Sequence, residues 1–292
     1  MKRPEEVQVY SADFQRLGDQ AMNTMNDPHV ERLIYRLKIN TGQLNFKNPP
    51  VLFQEYDAFC IRLENGTLTV EMKEHNASVQ SAKEKVDELI RAWEIYTMFD
   101  FDWDLFKFKF ENAEVINRKP SPKVPSQNTG YADITLPMPT LKGIVMAHPL
   151  QLSEYPAPPT RFKATLDVET MCFRYQQHLQ DKETYQSVGY FCLSLIQWST
   201  GITKGARREA SRRYNIDLDI LDKIGELTSE RGTQKDARKL DSGSTLLPLT
   251  DGEKRWIREA VKILIRRKGE YDFDPATASS LKQINMADLP KL

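Results

Sequence analysis

One short segment, residues 59–72, constrains the fold more than any other part of the sequence. Apolar residues alternate with polar or small ones on either side of Asn65-Gly66, a dipeptide typical of the type I′ turn of a β-hairpin. A two-residue loop at this point pairs the two strands so that all the apolar side chains lie on one face: Phe59, Ile61, Leu63, Leu68, Val70 and Met72. We therefore predict a β-hairpin with one face that another element must cover.

The residues after the hairpin predict that covering element. A stripe with a period near 3.6 indicates a helix, and a capping box formed by Ser81 and Glu84 would open it. The apolar members of the stripe are Val79, Ala82, Val86, Leu89, Ile90 and Trp93. Two further strands are predicted over 106–110, where Phe alternates with charged residues, and over 115–116. The order strand, strand, helix, strand, strand predicts a two-layer ββαββ unit.

Another helix is predicted before the hairpin. Asp27 is a favourable N-cap, and Pro28 suits the first helical position because it has no N–H to leave unbonded. The apolar residues that follow have helical spacing: Val30, Leu33, Ile34 and Leu37.

The second half of the chain predicts helices. Apolar periodicity indicates them over 168–179, 183–199, 204–214, 218–230 and 254–268, and the second is apolar nearly all round, as a central helix would be. Thr250 and Glu253 form a capping-box pattern that opens the last one. Nine of the sixteen prolines lie between Pro120 and Pro159. The predicted fold is α+β, with an N-terminal α+β domain over 1–118, a proline-rich connector over 119–160 and an all-helical C-terminal domain over 161–292.

The charge balance excludes the proteins that coat nucleic acids. Such proteins carry a large basic surplus, whereas 41 basic residues here match 41 acidic ones. An apolar content of 40% is sufficient for a packed core. The start of the sequence lacks a secretory apolar region, and no run of 18 apolar residues occurs. Because three cysteines are an odd number and none lies in a CxxC motif, we expect reduced thiols and a cytoplasmic location, with no membrane contact.

The strongest local charge lies in the last predicted helix. Residues 254–268 hold seven basic side chains and one acidic one. Four of the basic residues are three or four positions apart and form one stripe along the helix: Arg255, Arg258, Lys262 and Arg266. The stripe would neutralise phosphates or meet an acidic protein surface. The alternative is a solvated face that pairs with acidic residues of the same fold.

A second basic cluster lies earlier, in a segment that is similar to a helix-turn-helix. The cluster contains Lys204, Arg207, Arg208, Arg212 and Arg213. Over residues 206–221, Ala210 is the small residue of the first helix and Asn215 is the turn residue. The resemblance implies a second helix that reads DNA bases. That helix carries acidic residues, which phosphates would repel: Asp217, Asp219, Asp222 and Glu226.

Arg174 and His178 lie four positions apart and therefore share one face of a predicted helix. An arginine can stabilise charge that develops on a phosphorane, and a histidine can move the proton. The pair resembles the Arg-x(4–6)-His motif of the HEPN ribonucleases, which are small helical domains, although only three residues separate the two here. The resemblance implies a metal-independent ribonuclease with this catalytic pair. The alternative is an exposed Arg–His pair on an amphipathic helix.

Asp100, Asp102 and Asp104 alternate with aromatic residues. On one face of a strand, three carboxylates would suit a hard cation, and the alternative is an exposed acidic turn before a strand. No Cys or His lies at zinc-ligand spacing, and the phosphate-loop, dinucleotide, nucleophile-elbow and zinc-protease motifs are absent. We therefore predict no metal and no cofactor.

These patterns leave open whether the chain is an enzyme. The Arg and Lys residues clustered on two predicted helices, without a catalytic signature, favour an interaction or regulatory protein. Its basic C-terminal helical domain would bind an acidic partner, either a protein or a nucleic acid. A HEPN-like ribonuclease and a helix-turn-helix-like DNA-binding protein are the alternatives.

Overall fold

The computed structural model describes residues 27–101, 105–118, 149–229, 231, 247–278 and 280–292. The chain divides into two compact units. The first takes in residues up to Val86 together with 108–155, and the second takes in 87–107 together with 156–292. Strands dominate the described part of the first unit and helices that of the second, so the fold is α+β.

The first unit contains most of a five-stranded sheet. Its strands are β1 (Pro28–Ile39), β3 (Leu52–Glu55), β4 (Phe59–Glu64), β5 (Thr67–Met72) and β6 (Phe106–Asn117). Their order across the sheet is β3-β4-β5-β1-β6, and β3, β4, β5 and β1 pair antiparallel. Two short strands, β2 (Leu44–Phe46) and β7 (Leu150–Leu152), form a separate parallel pair.

The predicted hairpin is confirmed in register as well as in position. Leu63 pairs with Leu68, and Ile61 pairs with Val70. The φ angles at positions 65 and 66 are 50° and 71°, and a type I′ turn requires positive values at both. All six apolar side chains are buried. A side-chain period of two together with a turn of fixed length leaves one register that buries this face.

The helix predicted from Asp27-Pro28 is wrong, because residues 28–39 form β1. Leu33, Tyr35 and Leu37 are buried and alternate with less buried residues, which is the period of a strand. In the sheet, Leu33 pairs with Val70, and Tyr35 pairs with Leu68. Two of the apolar residues at helical spacing, Leu33 and Leu37, also fit a period of two once Tyr35 is included. Pairing with β5 on one side and β6 on the other decides for the strand.

Helix α1 (Val79–Phe101) follows the hairpin and begins before the predicted capping box. Ser78 Oγ accepts a hydrogen bond from the N–H of Ser81 at 3.1 Å, so the hydroxyl that serves the first turn is that of Ser78. The predicted ββαββ order also needs correction. The strands β1 and β3 precede the hairpin, and residues 106–117 form one continuous strand where two had been predicted.

The second unit is built from the later part of α1 and a set of further helices. They are α2 (Leu166–Leu179), α3 (Tyr185–Trp198), α4 (Ala206–Tyr214), α5 (Leu218–Ser229), α6 (Asp251–Phe273) and the short α7 (Pro275–Ala278). Helix α3 packs against α2, α4, α5 and α6 and is therefore the central helix of this unit. Buried side chains of these helices form one core, of which Trp256 and Tyr175 are among the largest members.

The predicted capping box at the start of α6 is confirmed. Thr250 Oγ1 accepts a hydrogen bond from the N–H of Glu253 at 3.2 Å, and the Glu253 carboxylate accepts one from the N–H of Thr250 at 2.7 Å. These two bonds satisfy backbone donors that the first turn of a helix leaves free.

Most of the proline-rich connector predicted over 119–160 lies outside the described residues. The division of the chain at that connector therefore stays a prediction. None of the helices in the described ranges combines the length and the apolarity that a membrane span requires.

Candidate functional site

Arg174, one member of the predicted ribonuclease pair, binds other groups of the helical unit. Its Nε and Nη2 donate to Glu183 Oε2 at 2.9 and 2.6 Å, and Nη2 also donates to Ser187 Oγ at 3.0 Å. Its guanidinium carbon lies 4.5 Å from the ring centroid of Phe191. Because a carboxylate already neutralises this guanidinium at short range, little of its charge is available to a phosphate substrate.

His178, the other member of the pair, is buried, with only 8% of its surface exposed. Its Nδ1 lies 2.9 Å from the carbonyl oxygen of Glu183, so this nitrogen carries the proton and donates it. Its ring centroid lies 4.0 Å from that of Tyr185. Burial lowers the pKa of His178, and Arg258 lowers it further.

Arg174 and His178 therefore meet at the same residue, Glu183, one through its carboxylate and the other through its carbonyl. Both contacts attach the connection between α2 and α3 to α2. The i, i+4 spacing does place the two side chains on one face, as predicted, but neither is an exposed group. The geometry is that of a pair that holds two helices together.

The basic stripe predicted on the last helix lies on α6, and part of it is buried. Lys262 is only 7% exposed, and its Nζ lies 3.2 Å from Glu259 Oε1. Arg258 is half-buried, and its Nη2 donates to Tyr185 Oη on α3 at 3.1 Å.

The two ends of the stripe differ. The guanidinium carbon of Arg266 lies 5.5 and 5.3 Å from the ring centroids of Tyr96 and Phe99, both on the part of α1 that belongs to this unit. Arg255, near the start of α6, is exposed, and its Nε lies 3.4 Å from the carbonyl oxygen of Asp251. The four side chains of the stripe therefore differ in exposure: Arg255 is exposed, Arg258 and Arg266 are partly buried, and Lys262 is buried. The reason is that α6 packs against several other helices of the unit, which cover part of its surface.

Three of the cations on α4 form ion pairs, of which the longest joins Arg213 Nη2 to Glu209 Oε1 at 3.8 Å. Arg207 Nη1 donates to Asp222 Oδ1 on α5 at 2.9 Å. Arg212 binds Glu209 through two hydrogen bonds of 3.0 and 2.6 Å, although three quarters of its side chain is exposed. Exposed pairs of this kind contribute little to stability, and the Glu209 carboxylate partly neutralises Arg212.

Arg213, also on α4, caps the end of α3. It donates to the carbonyl oxygens of Ser199 and Thr200 at 2.7 and 3.1 Å, two groups that the last turn of a helix leaves without internal partners. Tyr214 Oη lies 2.6 Å from Ser199 Oγ. The loop between α3 and α4 is therefore held against the last turn of α4.

The helix-turn-helix resemblance agrees with the local geometry of α4 and α5 in part. Asn215 has the left-handed conformation at the end of α4, with φ 51° and ψ 48°, and three residues separate the two helices. The second helix is acidic, as its sequence indicates, and Asp219 and Asp222 are exposed. A helix that presents carboxylates at its surface is poorly suited to lie between the phosphates of a DNA groove.

Two of the exposed basic residues of this unit lie where α3 meets α4. Lys204 and Arg208 are exposed, and neither has an ion-pair or hydrogen-bond partner in the described ranges. Trp198, the last residue of α3, is 76% exposed, and Ile202 is 45% exposed. We refer to these four residues, which come from one stretch of eleven positions, as the α3–α4 corner.

Sequence reasoning identified the cations of this corner but missed Trp198 and Ile202. Trp198 falls in a segment that is apolar nearly all round, and such a pattern predicts burial without distinguishing one position from another. The available signal was its place at the end of the helix, directly before a loop that contains Gly201 and Lys204.

The remaining predicted groups do not form a site in the described part of the chain. Asp100 lies in the last turn of α1 and is exposed, which contradicts the hypothesis of a cation-binding strand face for this residue, and Asp102 and Asp104 lie outside the described residues. Within the described ranges, no group of three or more His, Cys, Asp or Glu side chains is placed to hold a metal ion. The three cysteines are free thiols, and burial raises the pKa of Cys192.

Comparison of the chain with protein-family models, with curated proteins and with solved structures gives no match.

Proposed function

We propose that this chain is a cytoplasmic interaction or regulatory protein whose helical unit binds an acidic partner through the α3–α4 corner. One observation carries the proposal. Lys204 and Arg208 are exposed without a partner in the described ranges and follow the exposed Trp198 by six and ten positions, whereas most other basic side chains of this unit bind groups of their own fold.

The availability of a cation decides what it can contribute to binding. A guanidinium that is paired inside its own protein has to break that pair before it meets an external anion, so the two interactions nearly cancel. An exposed cation without a pair exchanges only water and counterions for the new partner. Lys204 and Arg208 belong to the second kind, and Arg207 and Arg213 belong to the first. Arg212 is intermediate, since it is paired but largely exposed.

The two alternative functions have less support. A ribonuclease would need Arg174 and His178 to face a substrate, whereas both bind Glu183. A DNA reader would need α5 in the major groove, and its exposed carboxylates oppose that placement. Neither alternative is favoured by an observation of its own.

Charge reversal at the corner tests the proposal. The variant Lys204→Glu/Arg208→Glu is compared with Lys182→Glu, which changes an exposed lysine in the α2–α3 connection. Lys182 lies beyond the opposite end of α3, and a helix of 14 residues is about 20 Å long. The probes are a fluorescent 12-nucleotide oligothymidylate and fluorescent polyglutamate, and the measurement is anisotropy at about 50 and 200 mM salt.

We expect wild type and Lys182→Glu to bind at least one probe, with an affinity that falls as salt rises. The double variant should bind that probe at least about 10-fold more weakly, because two attractive charges become repulsive. The proposal is overturned if wild type binds neither probe, or if the double variant binds as tightly as wild type.

A further inference from the structure

We infer that the acidic partner is a single-stranded nucleic acid, with a base stacked on Trp198 and phosphates bound by Lys204 and Arg208. The inference rests on the proposed function and narrows it to one class of partner. It is carried by the combination of an exposed aromatic ring with exposed cations on one short, firmly held segment.

Trp198 differs from the buried tryptophans of the chain in its exposure to solvent. Trp93 and Trp256 are completely buried, as a side chain with so large an apolar surface usually is. Trp198 leaves 76% of its surface in solvent, and the apolar Ile202 lies nearby in the sequence with 45% exposed. A single exposed apolar residue is ordinary, but an exposed tryptophan, a second exposed apolar residue and two exposed cations within eleven positions give this segment a defined chemistry.

That chemistry matches unpaired bases on a phosphate backbone. Every base has a flat apolar face that an indole ring can stack on, and cations beside the ring neutralise the phosphates of the same strand. Stacking on an aromatic residue typically changes affinity by roughly 5- to 150-fold per base. An acidic protein segment would need the cations but would gain from Trp198 only if it also carried an apolar anchor.

A double helix fits this surface less well. Bases in a duplex are already stacked on each other, so an aromatic ring at a corner cannot reach their faces without unstacking them. Helix α5, which follows α4 in the chain, also presents exposed carboxylates. These repel a broad phosphate surface, whereas a single strand can follow the narrow basic segment alone.

The corner is held in place before any partner binds. Thr200 Oγ1 donates to the carbonyl of Gln197 at 2.7 Å, and Arg213 and Tyr214 hold the neighbouring positions through the bonds described above. Gly201 has a positive φ of 75°, which lets the chain turn sharply after α3. A preorganised surface loses little conformational entropy on binding, which favours affinity from few contacts.

The test compares a set of probes and a set of aromatic variants. The probes are 12-nucleotide oligouridylate, 12-nucleotide oligothymidylate, a 12-base-pair duplex and polyglutamate. The variants are Trp198→Ala, Trp198→Phe and, as a control, Phe173→Ala, which removes another exposed aromatic ring of this unit. Anisotropy of labelled probes gives the affinity, and quenching of tryptophan emission reports stacking.

We expect both single strands to bind more tightly than the duplex and to quench the emission of wild type. Trp198→Ala should weaken single-strand binding about 10-fold, Trp198→Phe should weaken it less and abolish the quenching, and Phe173→Ala should match wild type. Lys204→Gln and Arg208→Gln should each lower the slope of log affinity against log salt by about 0.7, the value for one phosphate of a single strand.

Two outcomes separate the inference from the function on which it rests. If polyglutamate binds in a manner that requires Lys204 and Arg208 while the oligonucleotides do not bind, the inference is wrong and the proposed function stands. If oligonucleotides bind equally well to wild type and Trp198→Ala, stacking at this residue is refuted. If no probe binds wild type, both fail.

Discussion

Helices α4 and α6 are both basic and belong to the same unit, yet their charges have different environments. On α6, Lys262, Arg267 and Lys268 are buried. The aliphatic part of a lysine or arginine side chain can pack against apolar groups. On the shorter α4, Arg208 and most of Arg212 face solvent. A 23-residue helix that contacts several others buries most of its surface, charged residues included, whereas a 9-residue helix at a corner does not. A count of charges therefore does not show which of them can meet a partner.

The largest effect that we predict concerns how tightly the end of α6 is packed. A Cβ atom added at Gly269 would lie 2.2 Å from Cε2 of Phe162, so the ring would have to move. Gly269→Ala should lower the free energy of unfolding by about 1–3 kcal/mol or more, as overpacking in a core does. Urea unfolding measures this effect.

The matched control lies in the first turn of the same helix. A Cβ atom at Gly252 would have its nearest neighbour, Thr250 Oγ1, at 3.8 Å, which is ordinary contact. Gly252→Ala should leave stability unchanged or raise it by up to about 1 kcal/mol, because alanine favours the helix. Equal unfolding midpoints for the two variants would show that the end of α6 is not tightly packed against residue 162.

A smaller effect compares one arginine from each helix. Arg266→Gln removes the contacts of a guanidinium with Tyr96 and Phe99 and should lower stability by about 1–2 kcal/mol. Arg208→Gln removes no ion pair or hydrogen bond in the described ranges and should change stability by less than about 0.5 kcal/mol. Thermal unfolding of both variants measures the difference. Similar losses would contradict the contrast between the two helices, and the near-neutrality of Arg208→Gln also makes it suitable for the binding experiments.

The smallest effect concerns His178 on α2, which the fold buries as it buries the cations of α6. Burial lowers the pKa of His178 below its usual 6.5, and the unfolded chain therefore binds that proton more tightly than the folded chain. The neutral ring consequently contributes stability above about pH 6.5 that is lost as the pH falls through the pKa of the folded state. His178→Gln keeps a donor for the carbonyl of Glu183 but cannot titrate.

The measurement is the difference in unfolding free energy between wild type and His178→Gln at several values from pH 7.5 to 5. We expect the advantage of wild type to shrink toward low pH. His29, whose pKa burial also lowers, is present in both proteins, so its contribution cancels. An advantage that stays constant or grows on acidification would show that the fold does not disfavour the charged form of this histidine.

The sequence predicted best those features that depend on near neighbours. The hairpin around Asn65 needs only its turn and the alternation on either side, and the capping box at Thr250 and Glu253 spans four residues. The helical segments of the second half also follow from local periodicity. Such features are decided by backbone geometry and side-chain period, which one stretch of sequence contains in full.

The sequence predicted less well where one pattern fits two structures. Leu33 and Leu37 fit a helix and, with Tyr35, also a strand, and pairing with the distant β5 decided the outcome. Arg174 and His178 share a face, as their spacing indicates. Only the position of Glu183 in the fold shows that both side chains are already bound, one to its carboxylate and the other to its carbonyl oxygen. In each case the deciding partner is an element that the local pattern does not contain.

The sequence by itself thus determined the hairpin register, the capping box that opens α6 and the presence of two basic clusters. Only the tertiary structure decided that Arg266 stacks against aromatic rings of α1 while Arg208 and Trp198 face solvent. The physical reason is that exposure depends on what packs against a helix. Residues far away along the chain supply that packing, and the period of the helix itself carries no information about them.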